Sequence, residues 1–234
     1  MKQTMLERVL AARDAKQAVA LVTAVPGGEQ LFVWGSDRGA GDDVGDELWE
    51  CCQGALRDDR SQMVEIGGDK YFVQTFNPAL QMVIVGAVHI TQALAPMAQL
   101  AGYQVTVVDP RRAFASDMRF PDVAVDTDWP DDALERIGIN HRSAVVTLTH
   151  DPKLDDPALT VALKADAFYI GSLGSKRTHA ARLDRLREAG FTDAELQRIH
   201  GPLGLPLGAK SPAEIAISAI AQVTQVLRQR PAQT

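Results

Sequence analysis

The feature that most constrains the fold of this chain is a regular alternation of strand-like and helix-like segments after residue 78. Short apolar segments predict five strands, at residues 82–85, 104–108, 123–125, 144–148 and 167–170. Longer segments predict helices at residues 89–102, 158–165, 175–190, 193–199 and 212–228. Because consecutive parallel strands need a crossover connection, usually a helix, the alternation predicts an α/β fold: a doubly wound parallel sheet with helices on both faces.

The chain before residue 78 has a different pattern. An amphipathic opening helix precedes strands at 17–24 and 30–34, which flank a Pro-Gly-Gly turn. A helix at 46–57 then leads to a second hairpin, with strands at 62–66 and 71–76. Hairpins around a single helix are typical of a small α+β unit. We therefore predict two domains, a smaller α+β domain over residues 1–78 and the doubly wound domain over residues 79–234.

Charge and composition exclude several classes of protein. A formal net charge of −6 at pH 7 argues against nucleic acid or an anionic membrane surface as the main partner. The sequence predicts no membrane span, and its first residues lack the apolar core of a signal peptide. The two cysteines, Cys51 and Cys52, are adjacent, which provides no disulfide framework. We expect a cytoplasmic protein.

One strand-to-helix connection has the composition of an anion site. The segment AFYIGSLGSK ends a predicted strand and begins a helix, and its candidate binding residues are Gly171, Ser172, Gly174, Ser175, Lys176 and Arg177. Glycine allows close approach of backbone N–H groups, and the first turn of a helix leaves such groups without partners. Cations at a helix N-terminus oppose the helix dipole, so Lys176 and Arg177 favour a bound anion, most simply a phosphate. The alternative is a tight turn followed by a solvated basic helix.

Polar residues follow three other predicted strands. The candidate binding residues are Gly86, Ala87 and His89 after the first strand, Asp109 and Arg111 after the second, and His150 and Asp151 after the fourth. In a doubly wound sheet, ligands bind at the carboxyl ends of the strands. We therefore expect all four loops to lie on one edge of the sheet. For His150 and Asp151, a simple strand-ending turn is an equally good interpretation.

The first of these loops matches a dinucleotide-binding fingerprint only in part. The fingerprint places glycine at the first, third and sixth positions of the turn, which here are Gly86, Val88 and Thr91. Asp109 lies 23 residues after Gly86, as a ribose-binding acid would. The pattern predicts the fold better than the ligand, and NAD(P) stays open as an alternative cofactor.

The remaining candidates have structural interpretations as well. His200 begins the loop HGPLGLPLGAK, which could fold over the sheet edge and bring His200 to the ligand. Ser211, followed by Pro212 and by Glu214, predicts an N-cap with a capping box. The acidic pair at residues 155–156 precedes a predicted helix, so we interpret it as a helix cap and not as a pair of metal ligands.

The adjacent cysteines lie on the predicted helix of the small domain. Buried cysteines usually pack as small apolar residues, and this is the simpler interpretation of Cys51 and Cys52. The more specific interpretation is that the cysteines supply a soft sulfur ligand for a thiophilic metal such as molybdenum.

Three blocks of the second domain resemble a known family. THDPKLDDPAL, AFYIGSLGSKRTHAARLDRL and IHGPLGLPLGAKSPAEIA are similar to the C-terminal Rossmann domain of the xanthine dehydrogenase accessory proteins (XdhC/CoxI). The likeness spans residues 81–228, and the small domain is similar more loosely. Two departures stand out: the family's usual GAGH turn is GAVH here, and the small domain lacks the family's Gly-Gly-Cys-Val-Glu motif.

The resemblance implies a Rossmann-like fold and a chaperone of the molybdenum cofactor. Such proteins bind the pterin cofactor, protect it while a terminal sulfur is installed, and deliver it to an apo molybdenum hydroxylase such as xanthine or carbon monoxide dehydrogenase. It implies a cysteine desulfurase as a further partner. The cytosine dinucleotide form of the cofactor and a homodimer both stay open. An NAD(P)-dependent oxidoreductase and a scaffold that only recruits the molybdoenzyme are the rival functions.

Overall fold

The computed structural model describes residues 3–35, 37–114 and 119–229. The described residues form two compact units, of which the first ends at Pro78 and the second begins at Ala79. The outer ends of the two predicted domains, residues 1–2 and 230–234, lie outside the described residues.

The first unit is an antiparallel sheet with two longer helices. Its elements are α1 (Gln3–Asp14), β1 (Val19–Val25), β2 (Gln30–Trp34), α2 (Asp46–Arg57), β3 (Gln62–Ile66) and β4 (Asp69–Phe76), with a short 3₁₀ turn at Arg38–Ala40. The strands lie in the order β2-β1-β4-β3. Both predicted hairpins and the helix between them are confirmed.

The central strand β1 is apolar on both faces, and each face has its own core. On one face Val22 packs with Val73 and with Cys52 of α2. On the other face Val19 packs with Phe32 and with residues of α1. Because side chains alternate across a strand, a continuous apolar segment such as β1 suits a strand covered on both sides.

The second unit is a six-stranded parallel sheet with helices. Its elements are β5 (Leu80–Val85), α3 (His89–Leu100), β6 (Tyr103–Val108), β7 (Ala124–Asp126), α4 (Pro130–Ile137), β8 (Ser143–Thr147), α5 (Pro152–Lys164), β9 (Tyr169–Ser172), α6 (Lys176–Glu188), α7 (Asp193–Leu196), β10 (Ile199–His200) and α8 (Pro212–Arg228). The strand order is β10-β9-β8-β5-β6-β7, with every pairing parallel. The chain order reverses between β5 and β8, and the predicted doubly wound α/β fold is confirmed.

Helices cover both faces of this sheet, and β5 shows why. Met82 and Ile84 pack toward α3 and α8, where Leu94 is fully buried. Val83 and Val85 pack on the opposite side, in the core that α4, α5 and α6 share. Alternate residues of one strand therefore support two separate helix layers. Within the described residues, no helix has the length and apolarity needed to span a membrane.

Several predicted boundaries were wrong. Strand β9 continues through Gly171 and Ser172, because each of these residues is paired with a neighbouring parallel strand. Helix α7 ends at Leu196, and residues 199–200 form β10 instead of the end of a helix. Helix α4, over Pro130–Ile137, was not predicted.

The predicted cap at residues 155–156 was also wrong. Helix α5 begins at Pro152, and its N-cap is Asp151, whose side chain accepts a hydrogen bond from the Lys153 N–H. Pro157 lies inside this helix, although proline removes a helical hydrogen bond. Asp155 therefore lies in the first turn of α5, where it is buried. By contrast, the predicted capping box at Ser211 and Glu214 is confirmed.

Candidate functional site

The loops that follow β5, β6, β8 and β9 lie side by side at one edge of the parallel sheet. Backbone hydrogen bonds join successive strand ends: Gly86 N–H to the Val108 carbonyl (2.8 Å), Leu148 N–H to the Val85 carbonyl (2.9 Å) and Leu173 N–H to the Thr147 carbonyl (2.9 Å). The expected gathering of four loops is therefore present. The reversal of strand order between β5 and β8 places the crevice of this fold at the same edge.

The turn after β5 is tightly packed against the loop after β8. Gly86 has a φ of 115°, and a Cβ at this position would lie 2.8 Å from Cγ2 of Thr149. Glycine is therefore needed at position 86 because the backbone has a positive φ and packs directly against Thr149. This packing explains the glycine without a bound ligand. The next residues are Ala87, which is buried, Val88, which is the N-cap of α3, and His89, which is exposed in the first turn of α3.

Asp109, at the end of β6, is enclosed by hydrogen bonds. Its Oδ1 accepts from the N–H (3.0 Å) and Nε (2.9 Å) of Arg111, and its Oδ2 accepts from Nη2 of Arg111 (2.8 Å) and from the N–H of Ala87 (2.8 Å). Burial alone would raise the pKa of Asp109, but these hydrogen bonds outweigh it and hold the pKa below its ordinary value. The side chain has no exposed surface, so its carboxylate faces the protein instead of a ligand.

Arg111 is fixed by Asp109 but keeps part of its guanidinium exposed. Its side chain is 38% exposed, and the guanidinium carbon lies 4.9 Å from the ring centroid of Phe114. The hydrogen bond to Asp109 raises the pKa of Arg111, which therefore stays charged. A cation that is oriented before a ligand arrives loses little freedom on binding it.

A further arginine lies beside the β5 turn. Nη1 of Arg119 donates to the carbonyl of Ala87 (2.9 Å) and to the carbonyl of Phe114 (2.8 Å). The sequence pattern did not indicate this role, because Arg119 follows no strand directly and reaches the turn through the fold of its loop. Residues 115–118 of that loop lie outside the described residues.

The loop after β8 presents His150 at its tip. His150 is exposed and has a φ of 62°, a left-handed conformation that is uncommon for a residue other than glycine. The loop is held from both sides: Thr149 donates from Oγ1 to Oδ1 of Asp155 (2.7 Å), and Asp151 caps α5. Asp151 is thus the N-cap of helix α5 in this structure, whereas the simpler interpretation predicted only a strand-ending turn.

The glycine connection after β9 divides into a buried and an open part. Gly171 and Ser172 belong to the strand: a Cβ at Gly171 would lie 2.6 Å from Leu203, and the Ser172 hydroxyl bonds to that of Thr147. Both residues are buried, so neither lines the open edge as predicted. The turn proper is shorter and consists of residues 173–175.

This turn and the start of α6 retain the features of an anion site. Gly174 has a φ of 147°, and Oγ of Ser175 accepts from the Thr178 N–H (3.1 Å) as the N-cap. Lys176 and Arg177 are exposed and form no ion pair with any residue that the structure describes. The N–H groups of Lys176 and Arg177 and their two unpaired side chains are therefore available to the same ligand.

Beneath the turn lies Arg182, which the sequence pattern did not indicate. Its side chain is 2% exposed, and Nη2 donates to the Leu173 carbonyl (2.9 Å). Burial lowers its pKa, and Asp155, the nearest acid, acts in the opposite direction. Helix α6 contains many basic residues, so the sequence alone suggests that Arg182 is exposed like the others. Arg182 is buried because α6 packs against α5, which carries Asp155.

His200 is held within the fold. Its ring stacks on Tyr169, with centroids 4.8 Å apart and an angle of 8° between planes, and burial lowers its pKa. The following loop is fixed to the core, since the Leu203 N–H donates to the Ser172 carbonyl (3.1 Å). His200 ends β10 at the same edge as the other loops, but with one ring face covered.

The two cysteines differ in their surroundings. Cys52 is fully buried in the core of the small unit, and burial raises its pKa to about 12, with Cys51 adding to the effect. Cys51 is partly exposed, and its pKa is raised by burial and by Glu47 and Glu50. High pKa values disfavour the thiolate that a metal requires. In the described part of the chain, no three His, Cys, Asp or Glu residues form a group that could hold a metal ion.

A cleft of about 860 Å³ lies elsewhere on the second unit. It runs between α4, α5 and α6 and is lined by residues such as Leu134, Ile139, Val161 and Leu186. Its lining includes none of the predicted site residues. The binding chemistry that the sequence predicts belongs to the sheet edge and not to this cleft.

The parallel sheet, its strand order and the loops at its reversal point define a Rossmann-like doubly wound domain. Residues 82–223 match the family model described as the XdhC Rossmann domain. This match covers more than half of the chain, which therefore belongs to that family, and the predicted resemblance is confirmed.

Two curated relatives have names that state a role. The chain is 33% identical over 151 residues to the Escherichia coli molybdenum cofactor insertion chaperone PaoD, covering 64% of this chain and 41% of PaoD. It is 30% identical over 155 residues to a probable xanthine dehydrogenase component of Bacillus subtilis, covering 66% of this chain and 45% of that protein. The chain thus spans less than half the length of these two relatives.

A solved structure also matches. A crystal structure described as a xanthine dehydrogenase from Bacillus halodurans superposes with a TM-score of 0.74 at 25% identity, covering 97% of this chain and 65% of that chain. The similarity therefore includes residues of both compact units.

Proposed function

We propose that this chain binds the molybdenum cofactor as cargo and delivers it to an apo molybdenum hydroxylase of the xanthine or carbon monoxide dehydrogenase type. The observation that carries the proposal is the pair of unpaired cations, Lys176 and Arg177, at the glycine turn on the sheet edge. The name of PaoD and the family match support the choice of ligand.

The phosphate end of the cofactor fits the turn at residues 173–175. A phosphate there would accept hydrogen bonds from the N–H groups of Lys176 and Arg177, at the start of α6, and face the positive end of the helix dipole. Lys176 and Arg177 supply charge from the same turn, and Arg111 supplies an oriented guanidinium from the loop after β6. The cytosine dinucleotide form would use the same contacts for its pyrophosphate.

The exposed histidines are the candidate contacts for the rest of the cargo. His89 and His150 lie on the loops after β5 and β8, on either side of the reversal in strand order. Each offers ring nitrogens that can donate to or accept from a pterin ring, or bind toward its metal end. We assign Gly86, Ala87, Asp109 and Asp151 the role of fixing these loops.

We infer a carrier that makes no covalent bond to its cargo. The titratable groups buried at the edge, Asp109 and Asp155, are engaged by neighbouring residues and do not activate a nucleophile. Installation of the terminal sulfur would then come from a separate donor, for which a cysteine desulfurase is the proposed partner.

The rival function is an NAD(P)-dependent oxidoreductase. A nicotinamide dinucleotide needs a backbone approach at the second glycine position and an acid for the ribose hydroxyls. Here Val88 occupies the second glycine position. Asp109 is buried, and both of its carboxylate oxygens accept hydrogen bonds from within the protein, from Arg111 and from the Ala87 N–H. The geometry therefore favours a ligand without those contacts.

The test is to measure what the protein carries. We expect protein purified from a molybdate-supplied host to contain pterin, measured by fluorescence after oxidation. Because two charge-assisted phosphate contacts are lost, Lys176→Ala with Arg177→Ala should reduce the pterin content by about tenfold. The matched control is Lys164→Ala with Arg187→Ala, which removes the same charge from exposed positions outside the sheet edge.

Two results would overturn the proposal. One is tight binding of NADH or NADPH in titration, with no pterin in the purified protein. The other is equal activation of an apo hydroxylase by the parent protein and by the Lys176→Ala, Arg177→Ala variant, which would favour a scaffold that only recruits the client.

A further inference from the structure

A buried ion pair joins two helices directly behind the sheet edge. Asp155 in the first turn of α5 and Arg182 in α6 are each 2% exposed, with Oδ2 and Nη2 3.8 Å apart. Neither residue has a place in the cofactor contacts described above, and neither was predicted from the sequence to bind.

Each member of the pair also holds one loop of the edge. Oδ1 of Asp155 accepts from Oγ1 (2.7 Å) and the N–H (3.3 Å) of Thr149, in the loop after β8. Nη2 of Arg182 donates to the carbonyl of Leu173, in the turn after β9 (2.9 Å). A continuous polar path therefore runs from the loop that carries His150 to the turn that begins α6.

We propose that Asp155 and Arg182 are positioning residues that hold the His150 loop and the glycine turn in one fixed arrangement for the cargo. This inference rests on the proposed function, because it assumes that both loops touch the same ligand. Removing the pair should loosen both loops together and weaken phosphate binding, while the fold of the sheet persists.

Stability alone is a poor explanation of this pair. Oδ2 of Asp155 and the Nε and Nη1 atoms of Arg182 are buried and make no hydrogen bond within the described residues. Burial raises the pKa of Asp155 and lowers that of Arg182, so the protein environment opposes the charge on both. Replacing such a pair by apolar residues is often neutral or stabilising, whereas a residue that must hold a loop cannot be replaced this way.

The same two helices provide a matched control. Asp156 and Arg185 form a second ion pair between α5 and α6, with Oδ2 and Nε 2.5 Å apart, and it is partly exposed. Arg185 donates otherwise to the Ala181 carbonyl within its own helix, and this pair holds neither loop. Asp156→Leu with Arg185→Met therefore removes an interhelical pair without releasing the edge.

The first experiment uses inorganic pyrophosphate as the probe, with binding measured by isothermal titration calorimetry. Because a misplaced supporting contact typically costs binding by about tenfold, we expect Asp155→Leu with Arg182→Met to weaken pyrophosphate binding by about that factor. Leucine, unlike asparagine, cannot accept the hydrogen bonds from Thr149. The double variant removes both charges, so it leaves no single buried charge to unfold the domain. A folded double variant that binds as tightly as the parent and the control would overturn the proposal.

The second experiment needs no ligand. Thr149→Val removes the hydroxyl whose hydrogen bond Asp155 accepts, and it leaves the shape of the side chain almost unchanged. We expect faster amide hydrogen exchange both at residues 149–151 and at residues 173–176, with no such change in the control. Faster exchange confined to residues 149–151 would refute the coupling. If the proposed function is wrong, the parent protein should bind neither pyrophosphate nor pterin. Exchange is measured on the unliganded protein, so the exchange experiment tests the coupling of the two loops even in that case.

Discussion

At the scale of single residues, the edge of the sheet depends on polar side chains whose partners are internal. Asp109 illustrates the principle: its carboxylate is fully enclosed by the protein, yet its hydrogen bonds orient Arg111 toward the surface. A carboxylate that looks like a ligand contact in the sequence is instead the support of one.

The first prediction concerns the acid dependence of this support. The pKa of Asp109 is depressed in the folded protein, so its contribution to stability is present above the unfolded value of about 3.9 and is lost as the pH falls through the lower folded value. Asp109→Asn should therefore cost about 1–3 kcal/mol at pH 7, since it breaks charged hydrogen bonds. The difference from the parent should shrink below about pH 4.

Urea unfolding of both proteins at a series of pH values measures this. Asp184→Asn, at an exposed surface ion pair, is the control and should change stability little at any pH. A difference between parent and Asp109→Asn that is constant across the series would contradict the assignment.

At the scale of elements, the loop between β10 and α8 is a structural part of the second unit. Gly204 has a φ of 92°, and a Cβ there would lie 1.9 Å from Oγ of Ser218 in α8. The Gly204 N–H also donates to the Gln222 side chain (2.9 Å), which in turn accepts from the Tyr169 hydroxyl (2.6 Å). The loop thus ties α8 to β9.

The second prediction separates backbone strain from this contact. Gly204→Ala and Gly208→Ala both place a side chain at positive φ, but a Cβ at Gly208 meets nothing within 4 Å. Gly208→Ala should cost about 1 kcal/mol for the backbone conformation alone. Gly204→Ala should cost about 1–3 kcal/mol more, because the core must shift. Differential scanning calorimetry of the two variants measures this difference. Equal losses of stability would mean that the loop does not pack tightly against α8.

The same elements mark how far the sequence determines the fold. The strand-helix alternation predicts the parallel sheet because a buried strand is apolar on both faces, whatever its neighbours. By contrast, β10 has only two residues, and its identity comes from pairing with β9, which no local pattern records. Arg182 was overlooked for the same reason, since its partner Asp155 becomes a neighbour only when α6 packs on α5.

At the scale of the whole molecule, an acidic chain carries a local basic site. The formal net charge is −6, whereas Lys176, Arg177 and Arg111 all follow strands that end at one edge. A multiply anionic cargo is thus repelled by the chain as a whole and attracted at short range. Such an arrangement favours anion binding at this edge over the rest of the surface, and it makes the affinity sensitive to ionic strength.

The third prediction follows from that balance. Raising the salt concentration from about 50 to about 200 mM should weaken pyrophosphate binding several-fold, because exposed cations are screened over about 10 Å. The variant Lys176→Ala with Arg177→Ala should show a smaller dependence on salt. Calorimetric titrations at the two salt concentrations measure both slopes, and equal slopes would mean that the two cations do not face the anion.

The enclosure of Asp109 has a consequence for protein engineering. Placing glycine at position 88 would complete one more position of the nucleotide fingerprint, but it would not create a binder of nicotinamide dinucleotides. The acid needed for the ribose would still be held by Arg111 and by the backbone of Ala87. A redesign would have to release that carboxylate first, and in doing so it would disorient the guanidinium that the natural site presents.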